Sequence, residues 1–534
     1  MRIQNLCDVP SLKFVAGQLE KENVRLHERV FSLEIEIARL KGLDSDSVQQ
    51  RIAQLEEIVK KQNAALFDRS TERRVGDAPN TGAGTLPTGT GKKPQTGHGP
   101  HEQLGLRILD RIRELPEDQR TCEACGGHLE LMKGQFEESD EVTVIEREPI
   151  VIRHKRCKYR CSCNGNVKTA PPPPKLIPGG RYDIAFTVAV AVDKYLFHLP
   201  LERQVRMFRQ QGLDVDSQTL WDQIWALACR LRPTYQAIRQ ELLKEYVLHA
   251  DETPWYLLDK KRSGGKSKWY LWEIVGPTLA YYEIHDSRGL DAAAHLLTGY
   301  EGTLMTDGYE VYADLAKQLK QGRLDAPDAP GSYRVVRCMA HARREFVDIE
   351  SSFPIECKEI LDLFRELYAV EREVPKDLPE DEALALRARL RDEKSRPIVE
   401  RMKTWLDETL AKNLPRSGIA GAINYMKNAW AALTAFLDDP RLPIDNNHGE
   451  RSVRGPVVGR KNFYGSKSRR GTEAAAILYT MVESAKLSGV DPKAYIAEVA
   501  RRAIEDPEAV LLPADFKLFL QAKAAAAAGP DPEG

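Results

Sequence analysis

A strict seven-residue repeat of leucine constrains the first forty residues of the chain. The repeat places one leucine in each heptad, at Leu12, Leu19, Leu26, Leu33 and Leu40. If these are d positions, the a positions are apolar except for Asn23, and a single Asn among apolar a residues fixes the register of parallel two-stranded coils. The pattern therefore predicts a coiled coil that pairs two copies of the chain. The alternative is one amphipathic helix packed on its own domain, which favours a wider apolar stripe.

Two changes in composition divide the next part of the chain. A second helix is predicted near residues 48–66, so residues 1–68 form an N-terminal unit of coiled coil and second helix. Residues 69–105 are rich in Gly, Pro and Thr and predict a flexible linker, because they offer no core-forming pattern. The segment APPPPKLIPGG at 170–180 is a stiffer boundary. Between the two lies a small unit at 106–170.

Length and composition are those of a folded protein with several domains. At 534 residues, the chain is too long for a single hydrophobic core. Apolar residues make up 42% and charged residues 29%, which is ordinary for soluble proteins. The longest apolar stretch, at 184–192, is too short to cross a bilayer, and the N-terminus lacks the apolar segment of a secretory signal. We therefore expect a cytoplasmic protein that does not bind membranes.

The cysteines predict a metal site. Five of the nine lie between residues 122 and 163, and an odd number in a chain without a visible signal peptide does not suggest a disulfide framework. Cys122 and Cys125 have the spacing of one half of a zinc site. The second pair is less regular, because one residue separates Cys161 from Cys163, and Cys157 is a substitute ligand. We predict Zn²⁺ here; reduced buried thiols and a redox role are the alternatives.

The second half of the chain predicts helices followed by a sheet. Residues 171–240 predict helices, with one over Ser217 to Leu231 after a break at Gly212. This pattern is compatible with a DNA-binding helix-turn-helix and equally with an ordinary helical hairpin. From Tyr246 onward, aromatic and β-branched runs predict five strands. Helical patterns return over 341–440.

Three acidic residues are candidates for metal-dependent chemistry. Asp251 follows the apolar run VLHA and is predicted to end a strand, and Asp307 ends another. Such residues are normally turn formers, but two of them in neighbouring strands of one sheet can share a divalent metal. Glu450 supplies a third carboxylate, in a helix predicted to begin just after Pro443. The alternative is that Asp445 caps this helix and the other side chains form a solvated face.

The basic residues are clustered although the net charge is only −1. One basic run lies at 153–160 beside the cysteines, and another at 451–470 beside Glu450. Carboxylates repel phosphate, so cations beside them are needed to hold DNA. We therefore predict phosphate contacts from the basic residues after Glu450, which are Arg451, Arg454, Arg460, Lys461, Arg469 and Arg470.

Segments spread over nearly the whole chain resemble one known family. They are LFDRSTER, CEACGGHL, PPPPKLIPGG, KYLFHLPLERQ, HADETPW, LMTDGYEVY, CMAHARREF, DNNHGERSVR, GRKNFYGSKSRRGTEAAAILY and AKLSGVDPKAY. Their order resembles the insertion sequence 66 family of transposases, of the DDE type. The resemblance implies a multidomain α+β protein with an RNase H-like α/β catalytic core at 241–487. A helical insertion at about 345–443 would interrupt this core, and a C-terminal helical tail would follow at 488–534.

The resemblance also implies roles for particular residues. By position, Asp251, Asp307 and Glu450 match the family's catalytic carboxylates, which implies Mg²⁺ or Mn²⁺. The unit at 106–170 matches the family's zinc-binding unit, although the single residue between Cys161 and Cys163 departs from the usual two. The segment CMAHARREF places His341, Arg343 and Arg344 near the active site or DNA. Cys338 and His341 also have the spacing of half a metal site, without an evident second pair.

The function implied is that of the transposase of a bacterial insertion sequence. Such an enzyme binds terminal inverted repeats, cleaves the DNA at the element ends by metal-dependent hydrolysis, and joins the 3′-hydroxyl to target DNA. Its partners are both DNAs, a second copy of the chain and small accessory proteins of the element. Two alternatives stay open: an RNase H-like nuclease without joining activity, and a non-catalytic zinc and coiled-coil DNA-binding protein derived from a transposase.

Overall fold

The computed structural model describes residues 147–160, 167–258, 267–321 and 333–528. The predicted coiled coil, second helix and linker lie outside these residues, as do Cys122, Cys125, Cys161 and Cys163. The described chain is a mixed α+β structure, mostly helical, built around a five-stranded sheet. Within the described residues, no helix combines the length and apolar character that a membrane span needs.

Helices account for most of the described chain. In chain order they are α1 (Ile184–Tyr195), α2 (Leu201–Gln210), α3 (Ser217–Leu242), α4 (Leu290–Leu297), α5 (Glu310–Lys320), α6 (Met339–Val347), α7 (Pro354–Arg372), α8 (Glu380–Leu390), α9 (Arg396–Lys412), α10 (Gly418–Asn428), α11 (Trp430–Leu433), α12 (Asn447–Phe463), α13 (Arg469–Leu487), α14 (Pro492–Glu505) and α15 (Pro513–Ala528). The helix predicted from Ser217 is confirmed, but it extends beyond Leu231. Its apolar spacing continues through the buried Ile238 and Leu242.

The strands form two sheets of different size. They are β1 (Lys158–Arg160), β2 (Val167–Thr169), β3 (Val247–Leu257), β4 (Ser267–Val275), β5 (Ala280–His285), β6 (Thr303–Thr306) and β7 (Arg334–Arg337). The first two pair antiparallel. The other five form one sheet in the order β5-β4-β3-β6-β7. Neighbours within β3 to β5 are antiparallel, whereas β6 and β7 join parallel to β3 through connections that contain α4 and α5.

The predicted position of Asp251 at a strand end is wrong. It lies inside β3, which continues through Leu257 and pairs with β4 along its whole length. This continuation buries Trp255 and Leu257. Pro254 is tolerated because β6 pairs with β3 only as far as His249, so the missing N–H breaks no hydrogen bond to β6.

The central helix α13 covers one face of the sheet and supports its edge strand. Its residues Thr472 to Ala485 are almost all buried. Two of its hydroxyls replace the strand partner that the outer edge of β5 lacks: the Thr480 hydroxyl accepts from the Tyr282 N–H, and the Ser484 hydroxyl accepts from the Ala280 N–H. The predicted helix ending at Leu487 is confirmed.

A second hydrophobic cluster is formed by helices that follow β7. It packs α6, α7, α9 and α10 through buried side chains such as Phe346, Phe364, Met402 and Ile423. The helical pattern predicted over 341–440 is therefore confirmed. The domain boundaries, including those of the insertion at about 345–443, stay predictions.

Candidate active site

Two of the predicted carboxylates lie side by side because their strands are parallel. Val247 pairs with Thr303 and His249 pairs with Met305. Two residues further along both segments, this register brings Asp251 beside Asp307, the first residue after β6. Both side chains are half-buried. The two charges also interact, since burial and then the negative charge of Asp307 raise the pKa of Asp251.

The turn after β6 fixes Asp307. Its Oδ1 accepts a hydrogen bond of 2.9 Å from the Tyr309 N–H, and its carbonyl oxygen accepts one of 3.0 Å from the Tyr425 hydroxyl. Gly308 has a φ of +123°, and a Cβ there would lie 2.6 Å from the Tyr425 hydroxyl oxygen and 2.9 Å from Arg337 Nη1. The turn therefore requires glycine, and its hydrogen bonds orient the Asp307 carboxylate.

The third carboxylate reaches this place on α12. Glu450 lies on this helix, as predicted, but the helix begins at Asn447 rather than just after Pro443, so Glu450 is in its first turn. Asn446 ties this end of α12 to β3: its Oδ1 lies 2.7 Å from His249 Nδ1, and its side-chain amide donates to the carbonyl oxygen of Ala250 at 3.3 Å. The approach is close, because a Cβ on Gly449 would lie 3.1 Å from His249 Cβ. Glu450 is thus held near Asp251, and its charge also raises the pKa of Asp251.

Helix α6 supplies partners for Glu450. His341 Nδ1 lies 3.6 Å from Glu450 Oε1, and Arg344 Nη2 lies 3.9 Å from Glu450 Oε2. One ligand atom each from Cys338, His341 and Glu450 lie within 4.8 Å of one another. The spacing of Cys338 and His341 in the sequence indicated half of a metal site, but only the fold shows that Glu450 lies close to both residues. Arg343, on the same helix, is exposed.

The electrostatics of the three carboxylates favour a bound cation. Burial, and then the charges of Asp307 and Glu252, raise the pKa of Asp251 to about 7. Like charges held together in a partly dehydrated site repel each other, and a divalent cation relieves both the repulsion and the lost hydration. Carboxylate oxygens are the ligands that Mg²⁺ and Mn²⁺ prefer. The residues present therefore fit a divalent metal.

Two further carboxylates near Asp251 were missed by the sequence analysis. Glu273 pairs with Asp251 across β3 and β4 and is fully buried, and burial raises its pKa well above the ordinary range. Glu252 points to the opposite face, where it accepts from Arg288 and from the Tyr312 hydroxyl. A charged residue inside the apolar run WYLWEIV was a signal for Glu273, but its pairing with Asp251 depends on strand register.

The predicted DNA-binding residues follow the carboxylates along α12 and into α13. Arg460 Nη1 donates to Thr253 Oγ1 at 3.1 Å, which places this guanidinium two residues along β3 from Asp251. Arg469 and Arg470 stack over aromatic rings, at 5.7 Å from the Trp269 ring centre and 5.6 Å from that of Trp225. The other predicted DNA-binding residues of α12 are exposed, namely Arg451, Arg454 and Lys461.

Of the predicted zinc ligands, the structure describes only Cys157. It is exposed and lies just before β1. The basic residues around it are exposed as well. The ligand set therefore stays a prediction.

Comparison with protein families decides the class of the chain. A family model described as "Transposase IS66 family" matches residues 179–474, which is more than half of the chain and includes Asp251, Asp307 and Glu450. The protein belongs to the IS66 family of transposases. A second model, described as the zinc-finger binding domain of transposase IS66, matches residues 119–164. This match covers the predicted cysteine ligands and supports zinc binding by this part of the transposase.

Curated relatives of this IS66 transposase come from Sinorhizobium fredii and are themselves uncharacterized. Protein y4jD is 30% identical over 76% of this chain and 79% of its own length. Protein y4hP is 28% identical over 90% of this chain and 87% of its own length. Protein y4qI is 29% identical over 96% of this chain and 97% of its own length. The similarity therefore extends across the transposase from end to end.

Proposed function

We propose that this IS66 transposase cleaves DNA at the ends of its insertion sequence and joins the freed 3′-hydroxyl to target DNA, with Asp251, Asp307 and Glu450 as its catalytic carboxylates. The observation that carries the proposal is their convergence from three separate segments. The parallel register of β3 and β6 pairs the two aspartates, and the contacts of Asn446 bring the start of α12 to the same strand.

We infer that the five-stranded sheet is the RNase H-like core. The topology supports this inference, because an antiparallel meander of β3, β4 and β5 is followed by two parallel crossovers to β6 and β7. Asp251 then lies on the central strand and Asp307 at the carboxyl end of its parallel neighbour. Ligand sites form at such an edge because parallel strands end there together.

The carboxylates would hold Mg²⁺ or Mn²⁺ through their oxygens. When bound, these ions stabilise charge on the attacking and leaving oxygens of a phosphodiester. The protein itself contributes by positioning the three carboxylates that would hold the metal. The strands and the Gly308 turn orient the two aspartates, while Glu450 lies within 4 Å of Arg344, whose charge attracts the carboxylate, and of His341. Pre-organised ligands of this kind lower the cost of assembling the reactive geometry.

Other parts of the chain would bind and arrange the DNA. The arginines of α12 and α6 lie on the helices that carry or contact Glu450, and Arg469 and Arg470 begin the next helix, α13, so they are the candidates to hold phosphates beside the carboxylates. The zinc unit would recognise the terminal inverted repeats, and the N-terminal coil would pair two transposases so that both ends are held together. Small accessory proteins of the element and a cytoplasmic location complete the proposal.

A cleavage assay on duplexes that carry the element's own terminal sequence tests the proposal. With Mg²⁺, Asp251→Asn, Asp307→Asn and Glu450→Gln should each reduce cleavage at least about 100-fold, because removing a metal-binding carboxylate removes charge stabilisation. DNA binding in a gel-shift assay should persist. Asp314→Asn is the matched control, since Asp314 is exposed on α5, seven residues beyond Asp307. Unchanged cleavage by Asp251→Asn would refute the assignment.

A second arm separates transposition from the two rival functions. Duplexes with a pre-cut 3′-hydroxyl end are supplied together with target DNA, and joined products are measured. Joining that depends on the same carboxylates supports the transposase. Cleavage without joining indicates a nuclease, and binding without either reaction indicates a non-catalytic DNA-binding protein.

A further inference from the structure

A second cluster of metal-ligating side chains lies on β5 and α4, on the sheet face opposite the candidate active site. Strand register defines the two faces. Asp251 pairs with Glu273, which pairs with Tyr282, and the Tyr282 hydroxyl donates to the Ser452 carbonyl of α12. The neighbouring residues of the same three strands form a second set of cross-strand pairs, in which Glu252 pairs with Trp272 and Trp272 pairs with Glu283. Side chains of neighbouring residues in a strand point to opposite faces, so Glu283 faces away from Asp251 and α12.

Two imidazoles converge on one oxygen of Glu283. His285 Nε2 lies 2.7 Å from Glu283 Oε2, and His295 Nδ1 lies 2.8 Å from the same oxygen. One ligand atom from each of the three residues lies within 4.8 Å of the others. His285 follows Glu283 by two residues on β5 and so shares its face, whereas His295 reaches it from the last turn of α4.

The surroundings of the carboxylate resemble those of a metal ligand. Its second oxygen, Oε1, accepts a hydrogen bond of 2.7 Å from the Tyr281 hydroxyl, and an outer contact of this kind orients a ligating carboxylate. The carboxylate is buried, while 28% of the His285 side chain and 67% of the His295 side chain are exposed. The cluster is therefore anchored on its inner side and open to water on its outer side.

We propose that Glu283, His285 and His295 form a third metal site of this chain, which takes Zn²⁺ or a similar borderline divalent ion. Two imidazole nitrogens and one carboxylate oxygen are three of the four ligands of a tetrahedral zinc site, and water from the open side supplies the fourth. Such a donor set selects against Mg²⁺, which prefers oxygen ligands. The ion replaces the protons that the two nitrogens share with Glu283.

The geometry requires only a small rearrangement to hold the ion. Zinc–ligand bonds of about 2.0–2.1 Å separate neighbouring tetrahedral ligands by about 3.3 Å, so each nitrogen–oxygen distance must widen by roughly 0.5 Å. Rotation of the exposed His295 side chain widens one of these distances, and rotation of the half-buried His285 side chain widens the other. The ion would then clamp α4 to the edge strand β5, a structural role that does not depend on the chemistry at Asp251.

Zinc content measured on the full-length protein tests the site. Wild type, His285→Gln and His295→Gln are saturated with zinc in excess Mg²⁺, freed of loose metal and analysed by mass spectrometry. Glutamine keeps a hydrogen-bonding side chain but is a poor zinc ligand. Both variants should hold one equivalent less zinc than wild type, and Glu301→Gln, which removes an exposed carboxylate near α4, should hold the same amount as wild type.

Cobalt substitution assigns the lost equivalent. The zinc-finger cysteines give thiolate-to-cobalt absorption, which the two histidine variants should retain in full, because the lost site contains no thiolate. Equal zinc content in wild type and in a folded His295→Gln variant would overturn the proposal and leave the cluster as a hydrogen-bonded contact. Loss of the thiolate absorption together with the zinc would also overturn it. Circular dichroism verifies folding, and exposure of His295 makes that variant the decisive one.

Discussion

At the scale of single residues, Asp251 combines two features that a metal-binding carboxylate needs. It is partly withdrawn from water, and it stands beside Asp307, so its pKa rises to about 7. Both features disfavour the ionised form until a cation is present. Burial of this carboxylate beside Asp307 therefore lowers the folding stability of the metal-free protein, and metal binding restores that stability.

The raised pKa of Asp251 predicts how stability depends on pH when metal is removed. A carboxyl whose pKa is higher in the folded state stabilises the fold below its ordinary value, near 4, and this contribution is lost as the pH rises toward 7. In chelator, Asp251→Asn should therefore exceed wild type in stability by about 4 kcal/mol at pH 8, the equivalent of raising the pKa from 3.8 to about 7, and by little at pH 4. Denaturant titration followed by tryptophan fluorescence measures the difference. An equal gain at both pH values would contradict the account.

Gly308 is predicted to be irreplaceable in the turn after β6. In Gly308→Ala, the new Cβ meets the Tyr425 hydroxyl and Arg337 at a φ that L-residues rarely adopt. We expect a stability loss of about 1–3 kcal/mol together with loss of DNA cleavage. Gly421→Ala is the control: it lies within α10 and a Cβ there would meet open space, so it should be neutral or stabilising by about 0.5–1 kcal/mol. Denaturation and cleavage assays on both variants check this.

Sequence reasoning selected the three proposed catalytic carboxylates, but it missed most of their surroundings. Asp251 and Asp307 each follow an apolar run, so their nearness could be predicted once both runs were assigned to one sheet. Glu273 and the Glu283 cluster depend on which residues face each other across strands. A shift of one residue in register reverses the face of every side chain, and local patterns do not determine that register.

At the scale of elements, the contact of α13 with β5 shows how the fold protects a sheet edge. The Ser484 hydroxyl accepts from the Ala280 N–H at 3.0 Å and donates to the Ala280 carbonyl oxygen at 2.9 Å, and Ser484 is fully buried. The helix thus satisfies both backbone groups of one edge residue. Edge strands without such cover expose groups that pair with other chains.

Removing this hydroxyl should destabilise the protein. Ser484→Ala leaves two buried backbone groups of Ala280 without the hydroxyl, which costs about 1–3 kcal/mol. The matched control is Ser488→Ala, one turn later, whose hydroxyl donates to the Thr278 carbonyl oxygen at an exposed position. Its cost should stay within about 0.5 kcal/mol. Chemical denaturation measures the free energy of unfolding of both variants. Equal losses would show that the buried contact at the sheet edge stabilises the fold no more than the exposed one.

Element types were more predictable than their ends. The runs that predicted β4, β5, β6 and β7 are confirmed nearly to the residue, because their aromatic and β-branched residues are bounded by Gly, Ser or Pro. Strand β3 and helix α3 both run further than predicted, and each passes a proline, Pro254 and Pro233 respectively. In each case tertiary burial of the residues beyond the proline outweighs its local preference to end an element.

At the scale of the whole molecule, the site depends on bringing Glu450 back to a sheet that ends far earlier in the chain. The helices between β7 and α12 build their own hydrophobic cluster, and α12 then returns to β3 through Asn446 and Gly449. The sequence predicted helices here and, by family resemblance, an insertion. The return path could not be derived from it, because that path is set by packing between distant segments.

The central claim is that Asp251 and Asp307 contact a shared divalent metal during DNA cleavage, and a change of metal preference tests it most directly. Thiolate is a softer ligand than carboxylate. Replacing a carboxylate by a thiolate therefore weakens Mg²⁺ binding more than Mn²⁺ binding. Asp251→Cys and Asp307→Cys should therefore be inactive in Mg²⁺ and recover cleavage at least about tenfold in Mn²⁺, whereas Asp314→Cys, at an exposed position on α5, should behave as wild type in both. Cysteine variants at 251 and 307 that cleave normally in Mg²⁺, or that stay inactive in Mn²⁺ while wild type cleaves in both, would contradict the claim.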